Sequence, residues 1–157
     1  MSAASDYLER KVLDHVLRNS TNNFNAEDII YVALFADSGS LASTALESGT
    51  SSTAGTGNWG YYEINNGNYV RKEVTFALAQ TAGATTSSAS NITVTFPVAA
   101  ANYNTAGGTG QVVTHLAIMD QETGGNVLFY GALTTSKTVS SGDQFTISSG
   151  NLSVSLA

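Results

Sequence analysis

Beyond residue 19 the chain is written in short runs of Val, Ile, Phe, Tyr and Thr, parted by clusters of Gly, Ser and Asn. β-Branched and aromatic side chains suit a pleated, half-buried surface, and Gly and Asn accept the backbone conformations of tight turns. That grammar predicts about eight strands joined by polar turns. Such strands bury one apolar face each only by stacking in two layers. The expected fold is therefore an all-β, antiparallel β-sandwich, jelly-roll-like, with one N-terminal α-helix.

Residues 29–36 are apolar at successive positions, which predicts a strand covered on both faces at the centre of a sheet. Strands are expected at 59–64 and 69–78, flanking Asn65-Asn66-Gly67-Asn68 as a hairpin turn. At 91–96, Ile92, Val94 and Phe96 alternate with Thr93 and Thr95 until Pro97 withdraws a ladder donor and ends the strand. Two more, at 112–119 and 126–133, flank a turn at 120–125, and the last two, at 145–148 and 152–156, flank Ser149-Gly150-Asn151 as a C-terminal hairpin. The expected core is Val32, Leu34, Val74, Phe76, Ile92, Val94, Phe96, Leu116, Ile118, Leu128, Phe145 and Leu152.

Helical period occurs at 5–19, where Leu8, Val12, Leu13, Val16 and Leu17 fall on one face. Ser5 can cap the first turn, Asp6 and Glu9 sit at the positive end of the dipole, Arg18 at the negative end, and Asn19 can close the helix. An apolar stripe of this kind must be covered. The first expectation is that it packs on the chain's own sandwich, the second that it docks on a neighbouring subunit. Residues 37–58 have neither period and read as a long polar loop, with shorter loops at 79–90 and 99–110, all within one domain spanning 1–157.

Composition narrows the function. The absence of cysteine removes disulfides, thiolate metal sites and cysteine nucleophiles together. Charged residues make up 11% of the chain, against roughly 25% in an average domain, so the surface is polar but carries little charge. After Arg10, Lys11 and Arg18 the remaining cations are Arg71, Lys72 and Lys137, too scattered to neutralise a phosphate backbone, so no nucleic-acid partner is expected. The first residues are acidic where a secretory leader would be basic, and the apolar run 29–36 is far short of the ~20 residues that cross a bilayer. A soluble chain without a membrane partner is expected.

Little in the sequence points to catalysis. His15 and His115 lack ligand-spaced neighbours, and no nucleophile elbow or phosphate loop is present: the glycines at 55, 57 and 60 and at 107, 108 and 110 precede no helix bearing a lysine. Glu63, Glu73, Asp120, Glu122 and Asp143 are the carboxylates a glycosidase could pair, yet loop acids of any β-sandwich would satisfy that loosely. No enzyme, metal or cofactor is expected. The candidates for partner binding are the helix stripe, Leu8, Val12, Leu13, Val16 and Leu17, and the aromatic residues Trp59, Tyr61 and Tyr62.

Several stretches are specific in combination. They are 6–9 and 13–17 in the helix; Tyr31-Val32-Ala33-Leu34-Phe35; Tyr69-Val70-Arg71 with Val74-Thr75-Phe76; and Thr95-Phe96-Pro97. Val113-Thr114-His115, Ile118-Met119-Asp120, Thr123-Gly124-Gly125-Asn126, Tyr130-Gly131-Ala132-Leu133, Lys137-Thr138-Val139 and Gly142-Asp143 follow in order. With these residues the chain resembles, from residue 6 to about 156, a family of small tailed-phage virion proteins often labelled tail fibre protein. The stretch 37–58 departs from that pattern in length and Ser/Thr content.

The resemblance implies a non-enzymatic virion component assembled in the host cytoplasm, with phage structural proteins, major capsid or tail, as partners. A homo-oligomer such as a trimer is expected. Because no heptads or repeats that would build a long stalk are present, capsid decoration (cement) is the leading expectation. A tail fibre or tail adaptor involved in host attachment is the alternative, and a glycan-binding module comes after both.

Overall fold

The apolar run at 30–36 is an interior strand of the main sheet, paired on both sides. The computed structural model describes residues 3–18, 28–36, 45–48, 57–82, 85–105, 108 and 111–156. The proposed closure by Asn19, most of the 37–58 loop, and Gly55, Gly107 and Gly110 lie outside them. The helices are α1 (Asp6–Leu17) and the short α2 (Gly57–Gly60). The strands are β1 (Ala3–Ala4), β2 (Ile30–Ala36), β3 (Lys72–Val74), β4 (Gln80–Ala82) and β5 (Thr85–Ala89), followed by β6 (Val94–Val98), β7 (Val112–Met119), β8 (Val127–Thr138), β9 (Gln144–Ile147) and β10 (Ser153–Leu156).

Five strands form one sheet in the order β1-β8-β7-β2-β3, with every neighbouring pair antiparallel. Val32 to Ala36 on β2 are all buried because both faces of that strand are covered. On one face Val32 and Leu34 meet Val94 and Phe96 of β6 and Phe145 and Ile147 of β9. On the other, Ala33 and Phe35 meet Ala117, Met119, Val127, Leu46 and Trp59.

The second layer is a bent ribbon of two small sheets, β10-β5-β4 and β6-β9. β5 pairs with β10 and β6 with β9, and the antiparallel register runs on from Ala89↔Ser153 to Val94↔Ile147 across the bend. Ser90 holds that bend, its N–H donating to Leu152 O and its carbonyl accepting from Gly150 N–H. β4 extends the ribbon beside β5, and the whole is a sandwich-like, antiparallel β fold with an N-terminal helix.

Several local expectations are corrected. Strands β9 and β10 do not form a hairpin with each other: each returns to its own partner on the ribbon. The 65–68 turn exists, with Gly67 at φ 67° and Asn68 at φ 66°, but its flanks pair elsewhere. Ile64 bridges Thr105, and β3 pairs with β2. Pro97 lies inside β6, at the irregularity between Thr95 and Val98, where the ladder needs no donor. Ile92 precedes β6 and is 39% exposed, so the alternation begins only at Val94. Of the other expected core residues, Phe76, Leu116 and Leu152 are partly buried and the rest are buried.

The 79–90 loop contains β4 and β5, whose Thr and Ser residues supply strand backbone without apolar alternation. Within 37–58, residues 45–47 are helical and Leu46 is fully buried, so that stretch is not uniformly polar loop.

The turn between β7 and β8 is built on Asp120, whose carboxylate oxygens accept from Asn126 N–H and Nδ2, each at 2.6 Å. A Cβ at Gly125, which has φ 75°, would lie 2.3 Å from Asp120 Oδ1. Gly125→Ala is therefore expected to cost about 2 kcal/mol, more than the backbone strain alone. Gly142→Ala, at φ 91° with open space around it, isolates the backbone component. Equal losses in the two melting curves would remove the role assigned to the Asp120 contact.

Candidate functional site

The root of α1 is pinned to β8. Ser5 is buried, donates its N–H to Leu128 O at 3.0 Å and its hydroxyl to Val127 O, and caps the helix by accepting Leu8 N–H at 3.3 Å. One turn later Leu8 is buried against Ile118 and Leu128. Beyond it the stripe opens. Val12, Leu13, Val16 and Leu17 are 44%, 56%, 69% and 74% exposed, rising steadily along the helix. The expectation that the stripe closes on its own sandwich thus holds for Leu8 alone. The polar side is internally arranged, with Asp14 and Arg18 paired at 3.1 Å and Lys11 Nζ 5.8 Å from the Tyr7 ring centroid.

The aromatic candidates separate. Trp59 is fully buried, edge-on to Phe35 with centroids 6.1 Å apart, so its indole belongs to the core and not to a contact surface. Residues 57–60 form α2, so Trp59 and Gly60 are helical where a strand was expected to begin, and Trp59 faces inward. Tyr62 packs partly against the same cluster, and Tyr61 is 52% exposed.

A buried polar network lies beside Trp59 and was not singled out in the sequence. Arg71 Nε and Nη2 donate to the two oxygens of Glu63 at 2.7 and 2.8 Å, and Nη1 donates to Gln121 O at 2.8 Å and Gly124 O at 2.7 Å. The guanidinium carbon lies 5.3 Å from the Trp59 ring centroid. Burial works against the guanidinium's charge, yet Glu63 outweighs it, so Arg71 holds its proton more firmly than a free arginine.

The network closes a seam in the sheet. β2 pairs with β3 through residues 30–32, then with 62–64 through Ala36 N–H to Tyr62 O and Ile64 N–H to Leu34 O. Between them, Leu34 N–H donates to the Tyr69 hydroxyl at 3.0 Å, which in turn donates to Glu63 at 3.2 Å. Burial, reinforced by the Glu63 charge, pushes that hydroxyl well above the ordinary tyrosine range.

Part of the remaining candidate chemistry is also held in structure. Asp120 builds its turn, and Asp143 Oδ2 accepts Ser140 N–H at 2.9 Å. Thr114 Oγ1 and His115 Nδ1 share a hydrogen bond of 2.9 Å on β7. Glu73 and Glu122 are exposed. An apolar cleft of about 240 Å³ lies between the main sheet and the ribbon, lined by Ile30, Phe76, Ala79, Ile118, Phe129 and Val154 among others. The arrangement offers a helical contact face and an apolar cleft.

Comparison with curated proteins gives no match. A family model described as Podophage GP4 fiber I protein gp80 matches residues 3–155, which takes in α1, both layers of the sandwich and nearly all of β10. That span covers most of the chain. With helix and sandwich both inside it, the chain belongs to the podophage GP4 fiber I protein gp80 family of phage fibre structural proteins.

Proposed function

We propose that this chain is a non-enzymatic tail-fibre component that serves host attachment and reaches other virion proteins through the exposed face of α1. Membership of a family named for a fibre carries the reading. It favours the tail alternative over capsid decoration, which had rested on the absence of a long stalk. A compact β module can serve a short fibre, in which reach comes from assembly with partners. The structural roles of Glu63, Asp120 and Asp143 support a module without catalysis. The Ser/Thr/Asn-rich surface suits wide, wet contacts formed by hydroxyl and backbone hydrogen bonds, and repeated copies would multiply weak contacts by avidity. Assembly in the host cytoplasm fits a chain without cysteine.

Particles assembled without this chain are expected to keep their resistance to heat and osmotic shock and to lose most of their adsorption to host cells. Normal adsorption with loss of heat resistance would return the capsid-decoration reading.

A further inference from the structure

The chain holds a single Asn-Gly dipeptide, Asn66-Gly67, on the 65–68 turn. In an unfolded chain such a pair reacts with itself, because glycine has no Cβ to block its backbone nitrogen from reaching the asparagine side-chain carbon. In the fold the Asn66 carboxamide is gripped at both ends by one neighbouring segment. Its Nδ2 donates to Asn102 O at 2.8 Å, and its Oδ1 accepts from Asn104 N–H at 2.7 Å. The same two loops are joined by Asn65 N–H to Asn104 O at 3.1 Å and by Ala100 N–H to Gly67 O at 3.0 Å. The 99–105 segment is tied in turn to the residues after β8. Asn102 Oδ1 accepts from Ser141 N–H at 2.9 Å, Ser141 Oγ donates to Ala100 O at 3.2 Å, and Tyr103 N–H donates to Val139 O at 2.9 Å. Gly67 lies so close to the segment that a Cβ on it would be 2.6 Å from Ala101 O.

We infer that Asn66 is a latent deamidation site, held unreactive by the 99–105 segment, and that its conversion releases the two loops from each other irreversibly. Water is the sole co-reactant. The Gly67 nitrogen loses its proton and bonds to Asn66 Cγ, the Cγ–Nδ2 bond breaks, and Nδ2 gains a proton and leaves as ammonia. Water then opens the succinimide at either carbonyl, giving aspartate or isoaspartate at 66, with nothing oxidised or reduced. Cyclisation requires the carboxamide to turn its carbon toward the Gly67 nitrogen, so the bonds to residues 102 and 104 must break first. The native rate is therefore scaled by the fraction of time the loops spend apart. Neither product fits back. In aspartate an oxygen replaces Nδ2 and faces Asn102 O, acceptor against acceptor. In isoaspartate an extra methylene enters the main chain beside Gly67, whose approach to Ala101 O leaves no slack. The disturbance reaches inward, because the same loop leads to Tyr69 and Arg71 of the buried network. This inference does not depend on where in the virion the chain sits.

The test incubates the full-length chain in mildly alkaline buffer, folded and in denaturing urea, and reads conversion at residue 66 by peptide mass spectrometry with isoaspartate resolved chromatographically. The denatured chain is expected to convert at Asn66 ahead of its other asparagines, and the folded chain at least about tenfold more slowly. Asn102→Ala and Ser141→Ala, both at exposed positions, each cut a tie that holds the 99–105 segment. Each should keep a cooperative melt and raise the folded-state rate several-fold while leaving the denatured rate unchanged, so the assignment does not rest on one variant folding. Asn66→Asp, which installs the aspartate product directly, should melt about 2–4 °C below the parent chain. Equal folded and denatured rates, or a denatured chain that spares Asn66, would overturn the inference. Folded variants at 102 and 141 that convert at the parent's rate would remove the 99–105 segment as the lock. An Asn66→Asp chain that melts with the parent would remove the release.

Discussion

Replacing Arg71 with methionine is expected to destabilise the fold by about 3–5 kcal/mol, because it leaves the Glu63 carboxylate buried without its partner. In a chain of 157 residues that corresponds to a fall in Tm of roughly 6–20 °C. Arg71→Lys should recover only a small part of the loss, since an ammonium cannot span both Glu63 oxygens while also holding the carbonyls of Gln121 and Gly124. The double variant Glu63→Gln/Arg71→Met should be less damaging than the sum of its singles, because a neutral amide tolerates the vacated site far better than a carboxylate. Additive losses in the double-mutant cycle, measured by denaturant unfolding, would show that the two side chains act separately and would remove the network from the account of the seam.

That network marks where sequence stops being informative. β2 was legible because seven residues of apolar or aromatic side chain leave no solvent face. The β7–β8 hairpin was legible because Gly124 and Gly125 take positive φ at the turn. The ribbon bend at Ser90 was not. It depends on hydrogen bonds from Ser90 to residues 150 and 152, and no local pattern reports a contact across sixty positions. Strands β4 and β5 were hidden for another reason: Thr and Ser give a strand its backbone without the apolar alternation that betrays it. The helix stripe was read correctly as apolar and incorrectly as mostly self-covered. Periodicity identifies a face, but what covers it is decided by where the helix leaves the sheet, here one turn after Ser5.

Trp59→Ala is expected to cost a further 3–5 kcal/mol on its own, through loss of a large, fully buried ring and the cavity left among Phe35, Leu46, Ala117 and Met119. Alternation along Trp59-Gly60-Tyr61-Tyr62 would send half of these rings to the core and half to the surface without saying which, and it is α2 that carries the indole inward. The same ring lies under Arg71, so its removal also strips one wall from the buried ion pair. Losses from Trp59→Ala and Arg71→Met should therefore combine to less than their sum, with a coupling of about 0.5–3 kcal/mol. Trp59→Phe, which keeps an aromatic face toward Phe35 and the guanidinium, should lose markedly less than Trp59→Ala. Far-UV circular dichroism is the suitable probe, since Trp59 is the sole tryptophan and the variants remove the fluorophore. A Trp59→Ala chain that melts within 2 °C or so of the parent, a shift worth about 1 kcal/mol or less at this size, would place the indole outside the core and return it to the contact surface.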